Sequence, residues 1–261
     1  MTFADSKQRF SNRAEDYARY RPGYPREVLD VLRTWCALKP EHVIADIGSG
    51  TGLLTKLFLE NGNRVFGVEP NAEMRFGGEA FLSSYKNFTS VAGSAENTTL
   101  SDNSVNFVAA AQAFHWFDLE PTRREFLRIL EPYGRAIIIW NERLLDTTPF
   151  LRDYEALLHR FGTDYARVNE SYPRADQMLS FYGPNEFTSH ALPNYQEFDL
   201  DGLCGRLRSS SYAPAPGNPQ FEPMIEELQH VYRAHQENGV VRMEYRTHVY
   251  TGMLQFDRMN A

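Results

Sequence analysis

The stretch Val43-Ile44-Ala45-Asp46-Ile47-Gly48-Ser49-Gly50-Thr51-Gly52 decides the reading of this chain. A short apolar run ends in Asp46 and breaks into three alternate glycines. The helical pattern Leu53, Leu54, Leu57, Phe58 follows directly. That order predicts a strand, a tight turn and a helix N-terminus. Glycines in such a turn allow positive φ and carry no Cβ, so a ligand can lie against bare backbone. The free N–H groups of the helix start favour an anionic part of that ligand.

Outward from this turn, strand and helix alternate between residues 42 and 141. Strands are predicted at 42–47, 64–69, 88–92, 105–112 and 135–140, with helices at 53–61, 71–83 and 121–131. Near-continuous apolar runs such as Ala136-Ile137-Ile138-Ile139-Trp140 suit a parallel sheet covered on both faces. The alternation predicts a doubly wound α/β layer. Upstream, residues 5–20 read as a polar helix. A second helix after Pro25 carries Val28, Leu29, Leu32, Trp35 and Cys36 on its apolar face. Downstream, 149–161 reads as an amphipathic helix, followed by a loop-rich stretch, and Phe221 to Tyr232 mark another helix face. Val241, Met243, Tyr245, Thr247 and Val249 alternate with polar neighbours, which predicts an antiparallel strand pairing near 187–192. One domain is expected: a helical lid at 1–40, a core at 41–142, a cap inserted over the sheet edge at 143–186, and closure of the sheet by 187–261.

Composition excludes several classes. With 261 residues and 42% hydrophobic content, the chain can bury a substantial core. A net charge of −7 opposes a nucleic-acid backbone as main partner, because phosphate binding needs a basic face. Cys36 and Cys204 are too few for a disulfide framework or a zinc site, and the histidines show no metal spacing, so no metal is expected. Neither a signal peptide nor an apolar run of spanning length is evident. A cytoplasmic protein without a membrane partner is expected, monomeric or homodimeric.

The Asp46–Gly52 string resembles the first motif of class I S-adenosylmethionine (SAM)-dependent methyltransferases. The dinucleotide fingerprint G-x-G-x-x-G would instead need glycine where Leu53 stands. Gln112-Ala113-Phe114-His115-Trp116-Phe117-Asp118 resembles a small-molecule branch that includes trans-aconitate methyltransferase-like proteins, within the methyltransferase type 11 family. Tyr20-Arg21-Pro22-x-Tyr24-Pro25, the loop 209–217 and the strand from Tyr245 to Leu254 agree with that branch. The resemblance implies a mostly parallel, seven-stranded Rossmann-like sheet with one antiparallel strand. It also implies roles for residues. Gly48, Ser49, Gly50 and Gly52 would hold the methionyl part of SAM, and Asp46 would support the turn or take the ammonium. Glu69, followed by Pro70, can accept both ribose hydroxyls from the end of the second strand. Ser94, Ala95 and Glu96 match the adenine-contacting segment, where family members often carry aspartate in place of Ser94. Gln112 borders the reacting methyl, and Tyr20 and Arg21 fold over the cofactor.

Two further sets of residues bear on the acceptor. Tyr17, Tyr20, Trp116, Trp140 and Tyr212 are candidates for an aromatic wall around a sulfonium, and all but Tyr20 also for substrate contact. His115 ends the fourth strand and is either a general base or a packing residue against Trp116. Arg21, Arg143, Arg206 and Arg208 could bind a carboxylate bidentately. The expected function is methyl transfer from SAM to a small-molecule acceptor, with carboxylic acids a suited class, leaving S-adenosylhomocysteine (SAH). A non-catalytic SAM- or SAH-binding regulator and a nicotinamide-dependent dehydrogenase are the alternatives, and Leu53 opposes the second.

Overall fold

The computed structural model describes residues 20–163, 165, 175–183, 187–210 and 212–254. Tyr17 and most of the expected 5–20 helix lie outside the described residues. The first half of the chain builds α1 (Glu27–Cys36), β1 (Val43–Ile47), α2 (Leu53–Glu60), β2 (Arg64–Val68), α3 (Ala72–Phe81), β3 (Phe88–Val91) and β4 (Val105–Ala111). A 3-10 turn at Phe114–Trp116 leads into α4 (Leu119–Ile129) and β5 (Leu130–Arg143). Then come α5 (Pro149–Phe161), α6 (Ala175–Tyr182), β6 (Phe187–Phe198), α7 (Leu200–Arg208), α8 (Phe221–His235) and β7 (Val241–Gly252).

The seven strands form one sheet in the order β3-β2-β1-β4-β5-β7-β6. The pairs from β3 to β5 are parallel, and β7 runs antiparallel to both neighbours. The sheet therefore has one reversed strand, as the alternating Val241–Tyr250 segment predicted. Chain order reverses between β1 and β4, and open α/β sheets bind ligands at such a switch, beyond the carboxyl ends of the strands.

Alternate strand residues feed two cores. Ile44, Phe107, Ile137 and Ile139 face α1 and α2, meeting Leu32, Leu54 and Phe58. Ala45, Val108, Ala136 and Ile138 face α4 and α6, meeting Phe126, Ile129, Met178 and Phe181. Burial on both faces explains the unbroken apolar strands. A third cluster lies where β6 and β7 run on past the end of β5. There Phe198, Val241, Met243 and Tyr245 pack with α5, α7 and α8 through Leu157, Leu203, Leu207 and Leu228.

Three local expectations are revised. β5 begins at Leu130, not 135, because its register with β4 jumps between Val105 and Phe107 and absorbs Tyr133 at φ 69°. Trp35, expected on the apolar face of α1, is 55% exposed and packs on His190 of the edge strand β6. The stretch read as loop after 161 contains α6, which lies on the α4 face of the sheet and not beside α5. Among the described residues, no helix is long and apolar enough to cross a membrane.

Candidate active site

The glycine turn is held as the sequence required. Gly48, Gly50 and Gly52 have φ of 68°, 56° and 87°, where a side chain would be strained. A Cβ on Gly48 would lie 2.6 Å from that of Ala113, so the β1 turn and the end of β4 touch. The Gly48 and Ser49 N–H groups donate to the Val68 carbonyl at 2.8 and 3.2 Å, tying the turn to β2.

Two carboxylates sit under and beside this turn. Asp46 is 1% exposed, and its Oδ2 accepts from the Thr55 hydroxyl at 2.6 Å. Its Oδ1 is buried with no hydrogen-bond partner. Burial pushes the Asp46 carboxyl up to about 7; the Thr55 bond opposes the rise and the Glu69 charge adds to it. Glu69 accepts from Gly50 N–H at 2.9 Å through Oε2 and from Asn71 N–H at 2.8 Å through Oε1. It thus clamps the turn to the start of α3, whose first turn Asn71 caps by accepting from Glu73 and Met74. Pro70 lies in the same short connection.

The pocket at the turn is lined by Asp46, Gly48, Ser49, Gly50, Thr51 and Leu53, with Tyr24 and Ala111 opposite. Sequence reading missed Tyr24, Thr51 and Ala111. The signal for Tyr24 is its place in the Tyr20–Pro25 string. Tyr20 and Arg21, expected at the cofactor, contact α7 and the residue that follows it. The Tyr20 ring lies so close to Gly205 of α7 that a Cβ there would sit 2.2 Å from it. Arg21 Nη2 donates to the Ser209 carbonyl at 2.9 Å. Between these anchors and Tyr24, the Gly23 carbonyl accepts from Asn141 and Asn194.

At the third strand end, Ser94 and Asn97 exchange backbone hydrogen bonds and Ala95 is buried. Glu96 accepts from Asp118 N–H at 3.1 Å, linking this loop to the start of α4. Gln112, at φ 54°, spends its amide on Asn141: Oε1 accepts from the Asn141 N–H at 2.9 Å and Nε2 donates to the Asn141 carbonyl at 3.3 Å. Its side chain pins β4 to β5, and does not extend freely toward a ligand.

His115 sits between Trp116 and Trp140, with ring centroids 4.5 and 5.1 Å away. Its Nδ1 is buried without a partner, and burial lowers its pKa to about 4. Tyr212 does not join this aromatic group. It packs on Tyr165, at 4.9 Å, in the cluster with α5 and α7. Burial opposes ionisation of Tyr212, but the guanidinium groups of Arg206, Arg143 and Arg21 outweigh it and draw its pKa down. The five expected aromatic residues are not brought together as one wall: Trp116 and Trp140 flank His115, Tyr20 packs on Gly205, Tyr212 lies with the arginines, and Tyr17 lies outside the described residues.

Residues 45–138 match the family model described as a methyltransferase domain. An uncharacterized methyltransferase of Mycobacterium tuberculosis is 35% identical over 139 residues, covering 53% of this chain and 54% of the relative. The chain thus spans about half the length of the curated relatives it matches at that level. Among solved structures, one described as a type II methyltransferase from Anaeromyxobacter dehalogenans superposes with a TM-score of 0.69 at 22% identity. That match covers 91% of this chain and 100% of the other. Phosphoethanolamine N-methyltransferase 2 of Haemonchus contortus, solved with phosphomonomethylethanolamine and SAH, gives a TM-score of 0.56 at 14% identity. It covers 97% of this chain and 59% of that one. The segment 45–138 is thus similar to a methyltransferase domain, and the fold is the Rossmann-like one of the methyltransferases.

Proposed function

We propose that this protein transfers a methyl group from SAM to a small-molecule acceptor. The observation that carries the reading is the turn itself: three left-handed glycines above a buried Asp46 whose Oδ1 has no partner. A lone buried carboxylate oxygen is costly unless a donor arrives, and the ammonium of the methionyl group is such a donor. Glu69 stands just past the end of β2 beside the turn, and a carboxylate there is an acceptor suited to ribose hydroxyls. The loop from Ser94 to Glu96 would take the adenine, with Pro70 beside the ribose. Leu53 lines the same pocket where a dinucleotide turn needs glycine, which opposes a nicotinamide cofactor.

When bound, SAM supplies a methyl already activated by its sulfonium. The remaining work is alignment and exclusion of water, and positioning of this kind can supply about 7–11 kcal/mol. Asn141 and Gln112 fix the ends of β5 and β4 beside the turn. Tyr24, in the strap that precedes α1, covers the cofactor pocket. His115, neutral at pH 7, is a weak base; its lone Nδ1 orients an acceptor hydroxyl or amine, and accepts a proton only as the methyl bond forms. The net charge of −7 disfavours a polyanionic acceptor, so we place the acceptor among small cytoplasmic metabolites, with carboxylic acids the class the arginines favour.

Calorimetric titration with SAH tests the reading. Binding is expected, NADH is expected not to bind, and Glu69→Ala should cost about 1–3 kcal/mol of SAH affinity. Unchanged affinity in the variant would remove Glu69 from the cofactor site. Tight SAH binding with no label transferred from methyl-labelled SAM to any member of a broad acceptor panel would instead favour a non-catalytic regulator.

A further inference from the structure

The cluster joining α5, α7, β6 and β7 contains charge that the fold alone does not explain. Arg143 and Arg206 are 6% and 4% exposed. Arg143 Nη2 reaches Glu155 and, at 2.6 Å, the Tyr165 hydroxyl, while its Nη1 is buried with no partner. Among the described residues, Arg206 donates to neutral groups: Tyr245 at 3.3 Å and Ser210 at 2.9 Å. Among the described residues it makes no ion pair. The Tyr154 ring lies under Arg143, 5.3 Å away, and its hydroxyl is also buried and unpartnered. Buried guanidinium groups are ordinarily matched by carboxylates, and buried hydroxyls by hydrogen bonds. Among the described residues, one guanidinium charge, one guanidinium nitrogen and one phenol remain unanswered in this cluster.

We propose that Arg143, Arg206 and Tyr154 form a subsite that anchors a carboxylate of the methyl acceptor. The inference rests on the methyltransferase reading and names the acceptor's recognition group. Glu155 already balances Arg143, and among the described residues no carboxylate faces Arg206; a carboxylate fits the planar fork of one guanidinium bidentately. Position separates this anchor from the chemistry. The last residues paired between β4 and β5 are Ala111 and Ile139, and Arg143 lies four residues further on, about 13 Å beyond the end of β4. A carboxylate held by guanidinium groups also has its lone pairs engaged and is a poorer nucleophile. The anchored carboxylate is therefore a handle, and the methyl goes to another atom of the acceptor.

Benzoate is a suitable probe. Melting temperatures of the full chain are measured with benzoate, inorganic phosphate or chloride at matched ionic strength, with and without SAH. Benzoate is expected to raise the melting temperature several degrees above chloride, and phosphate is not. The gain should vanish in Arg206→Met and shrink in Tyr154→Phe, which keeps the packing should the arginine variant fail to fold. No gain over chloride, or an equal gain in wild type and Tyr154→Phe, overturns the subsite. Formation of base-labile methyl benzoate from labelled SAM overturns the handle role. Failure of SAH to bind in the same samples sinks the methyltransferase reading separately, since the benzoate response does not depend on it.

Discussion

His115 shows how burial rewrites a residue's chemistry. As a strand-end histidine with an ordinary pKa it would be a neutral-pH base; enclosed by two tryptophans it is held near 4. Between pH 4 and 6.5 the unfolded chain binds this proton and the folded chain does not, so stability falls as pH drops through that window. Replacement with asparagine should flatten that limb of a pH–stability curve from urea unfolding. The same burial predicts that turnover shows no inflection near pH 6.5 traceable to His115. An inflection there that disappears in His115→Asn would show the ring titrating in solvent, contrary to its packing. Asp46 and Glu69 were legible in sequence because they end predicted strands next to the turn. The clamp that Glu69 makes on Gly50 and Asn71 was not, since hydrogen-bond partners depend on how β2 and the turn meet in space.

Among the elements, the end of β4, the last residues of β5 and the middles of β6 and β7 meet at Asn141. Its Nδ2 donates to Gly23, and its Oδ1 accepts from Thr247 at 2.6 Å and Asn194 at 3.3 Å. Its backbone is held by Gln112. Asn141→Ala would free one hold on the strap and strand the buried Thr247 hydroxyl, at a cost of about 1–3 kcal/mol. Trypsin should then cut after Arg26 faster than in the wild type, while Asn141→Asp, which keeps the acceptor for Thr247, should recover stability but not protection. Equal cleavage in all three proteins would show that the strap is held elsewhere. Sequence periodicity located the flanking strands but gave no hint of this hub, because a single asparagine at a strand end carries no pattern. β6 lies at the sheet edge, where Pro193 is tolerated because no further strand needs its missing N–H.

The molecule as a whole has two cores around the sheet and a third in the extension of β6 and β7. The third holds Leu203 at 0% exposure and no residue of the glycine turn. Leu203→Ala should therefore destabilise by about 2–5 kcal/mol in chemical denaturation while leaving SAH affinity within error. A fall in SAH affinity matching the loss of stability would mean the third core and the turn unfold together. By itself the sequence determined the turn, the alternation of strand and helix, and the single reversed strand. Those depend on local conformational freedom and on a period of two or 3.6 residues, which neighbours along the chain express. Only the tertiary structure decided which arginines are buried together, that Tyr212 belongs with them and not with Trp116, and that Tyr20 and Arg21 grip α7. Arg143 and Arg206 lie 63 positions apart, and their shared surplus of charge exists only because the β6–β7 extension folds one helix onto another strand's end.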